Sequence, residues 1–334
     1  MANLLHREGH QVYGLIRRTN GMESDIHDVV PDDVYESITF VYGDLTNYRS
    51  LRTVFEKEQF DGVFHLAAQS HPPTSFIDPI GTMETNVMGS ANLIQVIQDH
   101  QNNCKLMFCS TSEVYGNVGQ DGRKIHWEDT ILPANPYGAS KAATDVYLQE
   151  RMENGFIKGF ITRAFSHTGP RRGRIFSISS DAYQIARMMK GLQEPVLKIG
   201  NLNTTRVVMD VRDTVRAYYL AMIHPDVTNH VFNICGDTPR KMQFFTDKLI
   251  ELSGLKGVEQ NIHKPFWRPH EIHYQHGDSS NLVELTGFKE EYDIETTLDL
   301  SLIHISEPTR LLSIADCGVW LEKKRGGGGG GGGG

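Results

Sequence analysis

Two stretches decide the fold: Gly62-Val-Phe-His-Leu-Ala-Ala-Gln-Ser70 and Lys105-Leu-Met-Phe-Cys-Ser-Thr-Ser-Glu113. Each opens as a short apolar run, Gly62 to Leu66 and Lys105 to Cys109. Each closes in small and polar residues, Ala67 to Ser70 and Ser110 to Glu113. A long helical pattern, from about Ile80 to Asp99 and containing Asn86, separates them. Two strand-length apolar runs joined by a helix predict parallel strands with a crossover helix. The alternation continues outward. Gln11 to Ile16 and Ile38 to Tyr42 read as strands, with a helix from about Tyr48 to Glu58 before Gly62. Gly159 to Arg163 is a further strand beyond Glu113.

This order predicts an α/β fold, a doubly wound parallel sheet of Rossmann type. Ligands of such sheets bind outside the carboxyl ends of the strands. Those ends carry Arg17-Arg18, Asp44-Leu45, Ala67 to Ser70 and Ser110 to Glu113, so one rule gathers four polar clusters into one crevice. The fold normally opens with a strand and a glycine-rich turn. Here Ala2 to Glu8 already reads as the first helix, with Gly9 as its cap, and no such turn precedes it. The expectation is a sheet lacking its first strand and Gly-rich loop, with Met1 internal to a longer protein.

After Arg163 the pattern breaks into short strands, loops and helices. Residues 1–165 and about 207–236 are expected to form the sheet domain, and 166–206 and 237–300 a smaller interleaved α/β substrate domain. Ser301-Leu-Ile-His-Ile-Ser-Glu-Pro-Thr-Arg310 reads as translated adapter DNA, and Gly326 to Gly334 is unbroken glycine. Residues 301–334 are therefore expected to be a non-native tail.

Asn135-Pro-Tyr-Gly-Ala-Ser-Lys141 places Tyr137 and Lys141 at i and i+4 at the start of a helical pattern, on one face. An ammonium beside a phenol favours the phenolate, so Tyr137 is expected to titrate below its ordinary value of about 10 and accept a proton.

The formal net charge of -8 on 334 residues argues against nucleic acid as a partner. Cys104, Cys109, Cys235 and Cys317 have neither metal-ligand spacing nor disulfide density, and read as reduced thiols of a cytoplasmic protein. The histidines show no metal-ligand spacing, so no metal is expected. No run has membrane-spanning length and hydrophobicity, and no membrane partner is expected.

Taken together, Gly43-Asp44-Leu45, His65-Leu-Ala-Ala-Gln69, Ser110-Thr-Ser-Glu-Val-Tyr-Gly116 and Tyr137-x-x-x-Lys141 resemble the extended short-chain dehydrogenase/reductase family. Within it, Arg17-Arg18, Pro170-Arg-Arg-Gly173 and Arg268-Pro-x-Glu271 are similar to the GDP-mannose 4,6-dehydratase branch. The resemblance covers roughly residues 1 to 300. It implies NADP as cofactor, a GDP-sugar as substrate, and a homo-oligomer, dimer or tetramer. It implies transient oxidation at the sugar C4, loss of water across C5 and C6, and hydride return to C6. Tyr137, Lys141 and Thr111 would serve C4, and Glu113 the C5 proton and the departing C6 hydroxyl. Arg17 and Arg18 would accommodate a ribose 2'-phosphate. Asp44 and Leu45 would meet adenine, and Leu66, Ala67, Ala68 and Gln69 would line the nicotinamide side, with Tyr137 and Lys141 at the cofactor. Asn86 would bridge helix and strand. Arg171, Arg172 and Arg206 would hold the diphosphate, with Arg268 and Glu271 toward the nucleoside and Ser166 and His167 near the sugar. Ser166 stands where the resemblance leads one to expect asparagine. The run Val207-Val-Met-Asp-Val-Arg-Asp213 is nearer to related reductases and epimerases. A nucleotide-sugar 4-reductase or epimerase is therefore the alternative, and a non-catalytic fragment a third.

Overall fold

The computed structural model describes residues 1–17, 30–268, 270–306 and 319–323. Elements are numbered in chain order. The main sheet holds β1 (Gln11–Ile16), β2 (Thr39–Tyr42), β3 (Gly62–His65), β4 (Lys105–Thr111), β5 (Lys158–Ala164), β10 (His230–Ile234) and β14 (Val319–Lys323). Short pairings are made by β6 (His167–Thr168), β7 (Val196–Ile199), β8 (Thr205–Val207), β9 (Met209–Asp210), β11 (Pro239–Lys241), β12 (Glu259–Ile262) and β13 (Tyr274–Gln275). The helices are α1 (Ala2–Arg7), α2 (Asp32–Ser37), α3 (Tyr48–Lys57), α4 (Pro72–Ile77), α5 (Pro79–Met83), α6 (Gly89–His100) and α7 (Pro136–Glu153). They continue with α8 (Ser177–Met189), α9 (Val211–Ile223), α10 (Met242–Ser253), α11 (Ser280–Thr286) and α12 (Ile294–Ser306).

The main sheet runs β10-β5-β4-β3-β14-β1-β2. All its strands are parallel except β14, which is antiparallel to both neighbours. Parallel strands are covered on both faces and read as continuous apolar runs. All four residues of β3 are buried accordingly. Successive β4 side chains point to opposite faces. Leu106 and Phe108 join a core with Leu51, Phe55, Leu93, Ile97 and Leu148 from α3, α6 and α7. Met107 joins the other core with Leu5, Ala217, Tyr218 and Ala221 from α1 and α9. Leu282 and Phe288, from the sequence half 237–300, pack in this second core.

One expectation is corrected. The helix read from Ile80 to Asp99 is broken into α5, a π turn at Glu84–Met88, and α6. Proline supplies no backbone donor, so Pro79 starts a new helix, capped by the Asp78 carboxylate on Gly81 N at 2.9 Å. The position between β1 and β3 is not vacant. It is filled by β14, with Gln11 opposite Lys323 and Gly62 opposite Glu322. Two facing strand edges with open backbone groups accept a strand of either direction. Ser301 and Leu302, where the stretch read as a tail begins, are buried in α12.

The smaller core joins α8, α10 and α12, with Ile185, Leu197, Phe245, Leu249, Leu298 and Leu302 buried together. β6 follows β5 directly and pairs with β9, the short strand that opens into α9.

Candidate active site

Thr111 ends β4, and its hydroxyl accepts from Glu113 N at 3.3 Å, opening a single 3-10 turn at Ser112–Tyr115. That turn aims Glu113 toward the start of α7. Asn135 caps α7, with Oδ1 accepting from Gly138 N at 2.7 Å, and Pro136 sits in the first turn, where a missing N–H costs nothing. Gly138 is required by space: a Cβ there would stand 2.7 Å from the Glu113 carbonyl oxygen. The helix start therefore lies directly against the Glu113 backbone.

The Tyr137 amide donates to Ser75 Oγ at 3.0 Å, and its phenol hydrogen-bonds Thr111. Lys141 is 2% exposed, with Nζ 4.1 Å above the Phe108 ring. No hydrogen-bond acceptor for this ammonium is found among the described residues. The expected acidic phenol is not what the structure holds. Burial foremost, then the Cys109 sulfur, push the Tyr137 phenol well above its ordinary range, and the Thr111 bond opposes them. Burial lowers Lys141 to about 8, against the opposing pull of Cys109 and Asp145.

The Glu113 carboxylate, 9% exposed, takes two charge-assisted donors. Asn135 Nδ2 reaches Oε2 at 2.6 Å and Arg268 Nη1 reaches Oε1 at 2.9 Å. Arg268, expected toward the nucleoside, thus lies against the Glu113 carboxylate. Arg206 is buried and braces the last loop, donating to the Ile272 carbonyl at 2.6 Å and pairing with Glu271 at 3.4 Å. Arg172 lies over Phe176, 4.0 Å from the ring centroid, and interacts with Tyr137. Burial lowers its guanidinium to about 10. Burial and then Arg172 lower His167 to about 4, leaving a neutral imidazole bonded to the Phe165 carbonyl at 3.1 Å. Ser166 is partly buried and its carbonyl pairs with Met209 N. Arg171 is exposed, at φ 68°, and departs from its expected partner Arg172.

Thr111, Glu113, Tyr137, Lys141, Arg172, Arg206, Arg268 and Glu271 thus converge at the carboxyl end of β4. The expected cofactor residues line the sheet's other strand ends. Arg17 follows β1, and Arg18 lies outside the described residues. Asp44 is engaged by Thr46, N at 2.9 Å and Oγ1 at 2.7 Å, and Leu45 is core. Leu66 packs on the second core and Ala67 on the first, with Ala68 partly buried between Ala67 and Gln69. The Gln69 side chain is tied to Thr82 and to His71 N, so it shapes the wall rather than offering a free amide. Asn86 bridges as expected: it bonds the Gln69 backbone and Ser140 Oγ at 2.8 Å. A dinucleotide fits these residues on two observations. A buried ammonium without an acceptor suits a ribose hydroxyl, and Arg17 stands at a strand end where an acidic residue would repel a 2'-phosphate.

Sequence reading gave Asn135 no role, although an Asn before Pro at a helix start signals a cap. It also missed the buried pair beneath the site. Arg163 meets Asp145 twice at 2.9 Å, and Ser110 Oγ donates to Asp145 at 2.7 Å.

Known proteins resemble the chain in sequence and in fold. The chain matches the family described as GDP-mannose 4,6 dehydratase over residues 1–300. GDP-6-deoxy-D-mannose reductase of Pseudomonas aeruginosa is 32% identical over 239 residues, 71% of this chain and 78% of that protein. GDP-mannose 4,6 dehydratase 1 of Arabidopsis thaliana is 27% identical over 304 residues, 88% of this chain and 82% of that one. The structure of RMD from Pseudomonas aeruginosa complexed with NADPH superposes with a TM-score of 0.73 at 29% identity, over 80% of this chain and 90% of that one. UDP-glucose 4-epimerase of Thermus thermophilus, at 22% identity, shares the fold with a TM-score of 0.77 over 92% of this chain and 94% of that one. The chain belongs to the GDP-mannose 4,6 dehydratase family, within the extended short-chain dehydrogenase/reductases.

Proposed function

We propose that this chain binds NADP and dehydrates GDP-mannose to GDP-4-keto-6-deoxymannose. The observation that carries the reading is Glu113: a carboxylate held beside Tyr137 and Thr111, which reaction at C4 alone would not need. When bound, the cofactor supplies a hydride acceptor for C4 and a hydride donor for C6. Thr111 hydrogen-bonds the C4 oxygen and Tyr137 exchanges its proton. Glu113 removes the C5 proton, acidified by the C4 ketone, and delivers a proton to the leaving C6 hydroxyl, so water departs. Tyr137 and Arg172 face the same space, and Arg172 with Arg206 and Arg268 provides cations for a diphosphate. Lys141 reaches a cofactor hydroxyl. Arg17 favours NADP over NAD. A homo-oligomer through the α5–α7 side is part of this reading, supported by exposed Ile80, Met88 and Val146 there; a sedimentation mass of one chain would refute it.

A second reading, reduction of a 4-keto sugar, is favoured by the likeness to the Pseudomonas reductase and by a Tyr137 that keeps its proton. Mass spectrometry of the product separates the two. Incubation with GDP-mannose and NADP should remove one water. Glu113→Gln should cut dehydration by about 100-fold or more while leaving oxidation at C4 measurable. Dehydration at the wild-type rate in Glu113→Gln would overturn the first reading.

A further inference from the structure

Asn135 makes two bonds with one amide. Its Oδ1 accepts from Gly138 N at 2.7 Å, and its Nδ2 donates to Glu113 Oε2 at 2.6 Å. A backbone N–H can only donate, so the carbonyl end must face Gly138 and the NH2 end must face the carboxylate. The amide orientation is therefore fixed by the bonds themselves. Asn135 is 6% exposed, so neither bond competes freely with solvent. A helix cap needs only an acceptor, and Ser, Thr or Asp would serve as well. The donor half of the side chain is surplus to capping, and it is directed at Glu113.

We propose that Asn135 is a positioning residue for the Glu113 carboxylate, held in place by the same helix cap that sets Tyr137. The inference rests on the proton-transfer role proposed for Glu113. Physically, the amide fixes the plane and rotamer of the carboxylate, so that a lone pair faces the sugar carbon whose proton must leave. It also couples the base to the α7 N-terminus, so that Tyr137 and Glu113 keep one spacing through both halves of the reaction. The charged and titratable groups facing the carboxylate are Arg268 at 2.9 Å from the last loop, Arg206 from β8 and Tyr137 from α7. Asn135 is the uncharged donor of the set. Its contribution is orientation, where that of the arginines is charge.

Asn135→Ser and Asn135→Asp both keep a capping oxygen and remove the amide NH2 that donates to Glu113. Asn135→Asp also brings a second carboxylate to Glu113, and two carboxylates that close cannot both ionise. Three measurements on the full chain test the proposal. The melting temperature reports the cap. The 13C carboxyl titration of Glu113, assigned by its loss in Glu113→Gln, reports the contact without any turnover. Solvent deuterium incorporation at C5, set against hydride transfer from C4, reports the base.

The expected result is a melting temperature within a few degrees of wild type, and a Glu113 midpoint raised by at least about one pH unit in Asn135→Asp. Deuterium incorporation at C5 falls by about 10- to 100-fold in Asn135→Ser, with hydride transfer and KM nearly unchanged. Should Asn135→Asp fail to fold, the Asn135→Ser midpoint is read, and it also rises. An unmoved midpoint, or equal losses in C4 and C5 steps, would assign Asn135 to the cap alone and overturn the proposal. Should Glu113→Gln keep full dehydration while the midpoint still moves, the function reading fails and the Asn135–Glu113 coupling stands.

Discussion

A single side chain in this site is defined by which neighbour it meets, and Lys141 shows the consequence. Its position four residues after Tyr137 is visible in the sequence, yet its ammonium lies on Phe108 and is lowered to about 8 by burial. A lysine whose folded value is lowered is charged below that value. Its buried charge costs stability there, and the cost is relieved as pH rises from about 8 toward the unfolded value of about 10.5. A catalytic role for the cation predicts a loss of kcat/KM above pH about 8, while the melting temperature does not fall over the same range. A pH–rate profile flat to pH about 10 would show that the cation is not required. Thr111 and Glu113 were legible because one topological rule sends strand ends to one crevice, and Tyr137 with Lys141 because i and i+4 share a helix face. The Glu113–Arg268 pair was not, since its partners are 155 residues apart and only the folded loop joins them.

Elements carry the site through close approach, and here the sequence says less. β1 to β5 were legible as apolar runs, with edges within a residue or two of those observed. The α5–α6 region was not, since the π turn is set by the tertiary bonds of Asn86 to Gln69 and Ser140. Gly138 is the closest approach of α7 to the Glu113 turn. Gly138→Ala should cost about 1–3 kcal/mol, from a Cβ pressed 2.7 Å from a backbone oxygen, and should lower kcat by displacing the helix start. Chemical denaturation and kinetics check both. In the smaller core, Asp181 of α8 is buried, with one bond, from Thr246 of α10 at 2.7 Å. Burial raises its carboxyl to about 7, the Thr246 bond opposing. The folded state then holds a proton that the unfolded chain has lost, and stability falls as pH rises from about 4 through about 7. Asp181→Asn, which keeps the acceptor, should stabilise the protein by about 1–3 kcal/mol at pH 8 and by little at pH about 4. Equal effects at both pH values would contradict this account.

At the scale of the whole molecule, the site depends on the main sheet staying continuous from β2 to β10. The strand ends bearing Arg17 and Asp44 lie on one side of β14, and those bearing Gln69 and Thr111 lie on the other. β14 is therefore the only backbone ladder between the two halves of the crevice among the described residues. Its register joins Leu321 to Tyr13 on one edge and to Val63 on the other. Every amide of a strand paired on both edges is a potential ladder donor. A proline there removes one donor and leaves a buried carbonyl unsatisfied, at about 1–3 kcal/mol. Leu321→Pro should therefore lower the melting temperature and speed amide exchange in residues 11–15 and 62–65, the segments that β14 holds. Exchange in β4, β5 and β10, which bond only to one another and to β3, should be slowed less by the wild-type strand and so should change less in the variant. Uniform loss of protection across the sheet would mean that it opens as one cooperative unit. Unchanged protection in both flanking segments would mean that β14 does not hold the halves together, and that their alignment comes from the helix layers alone.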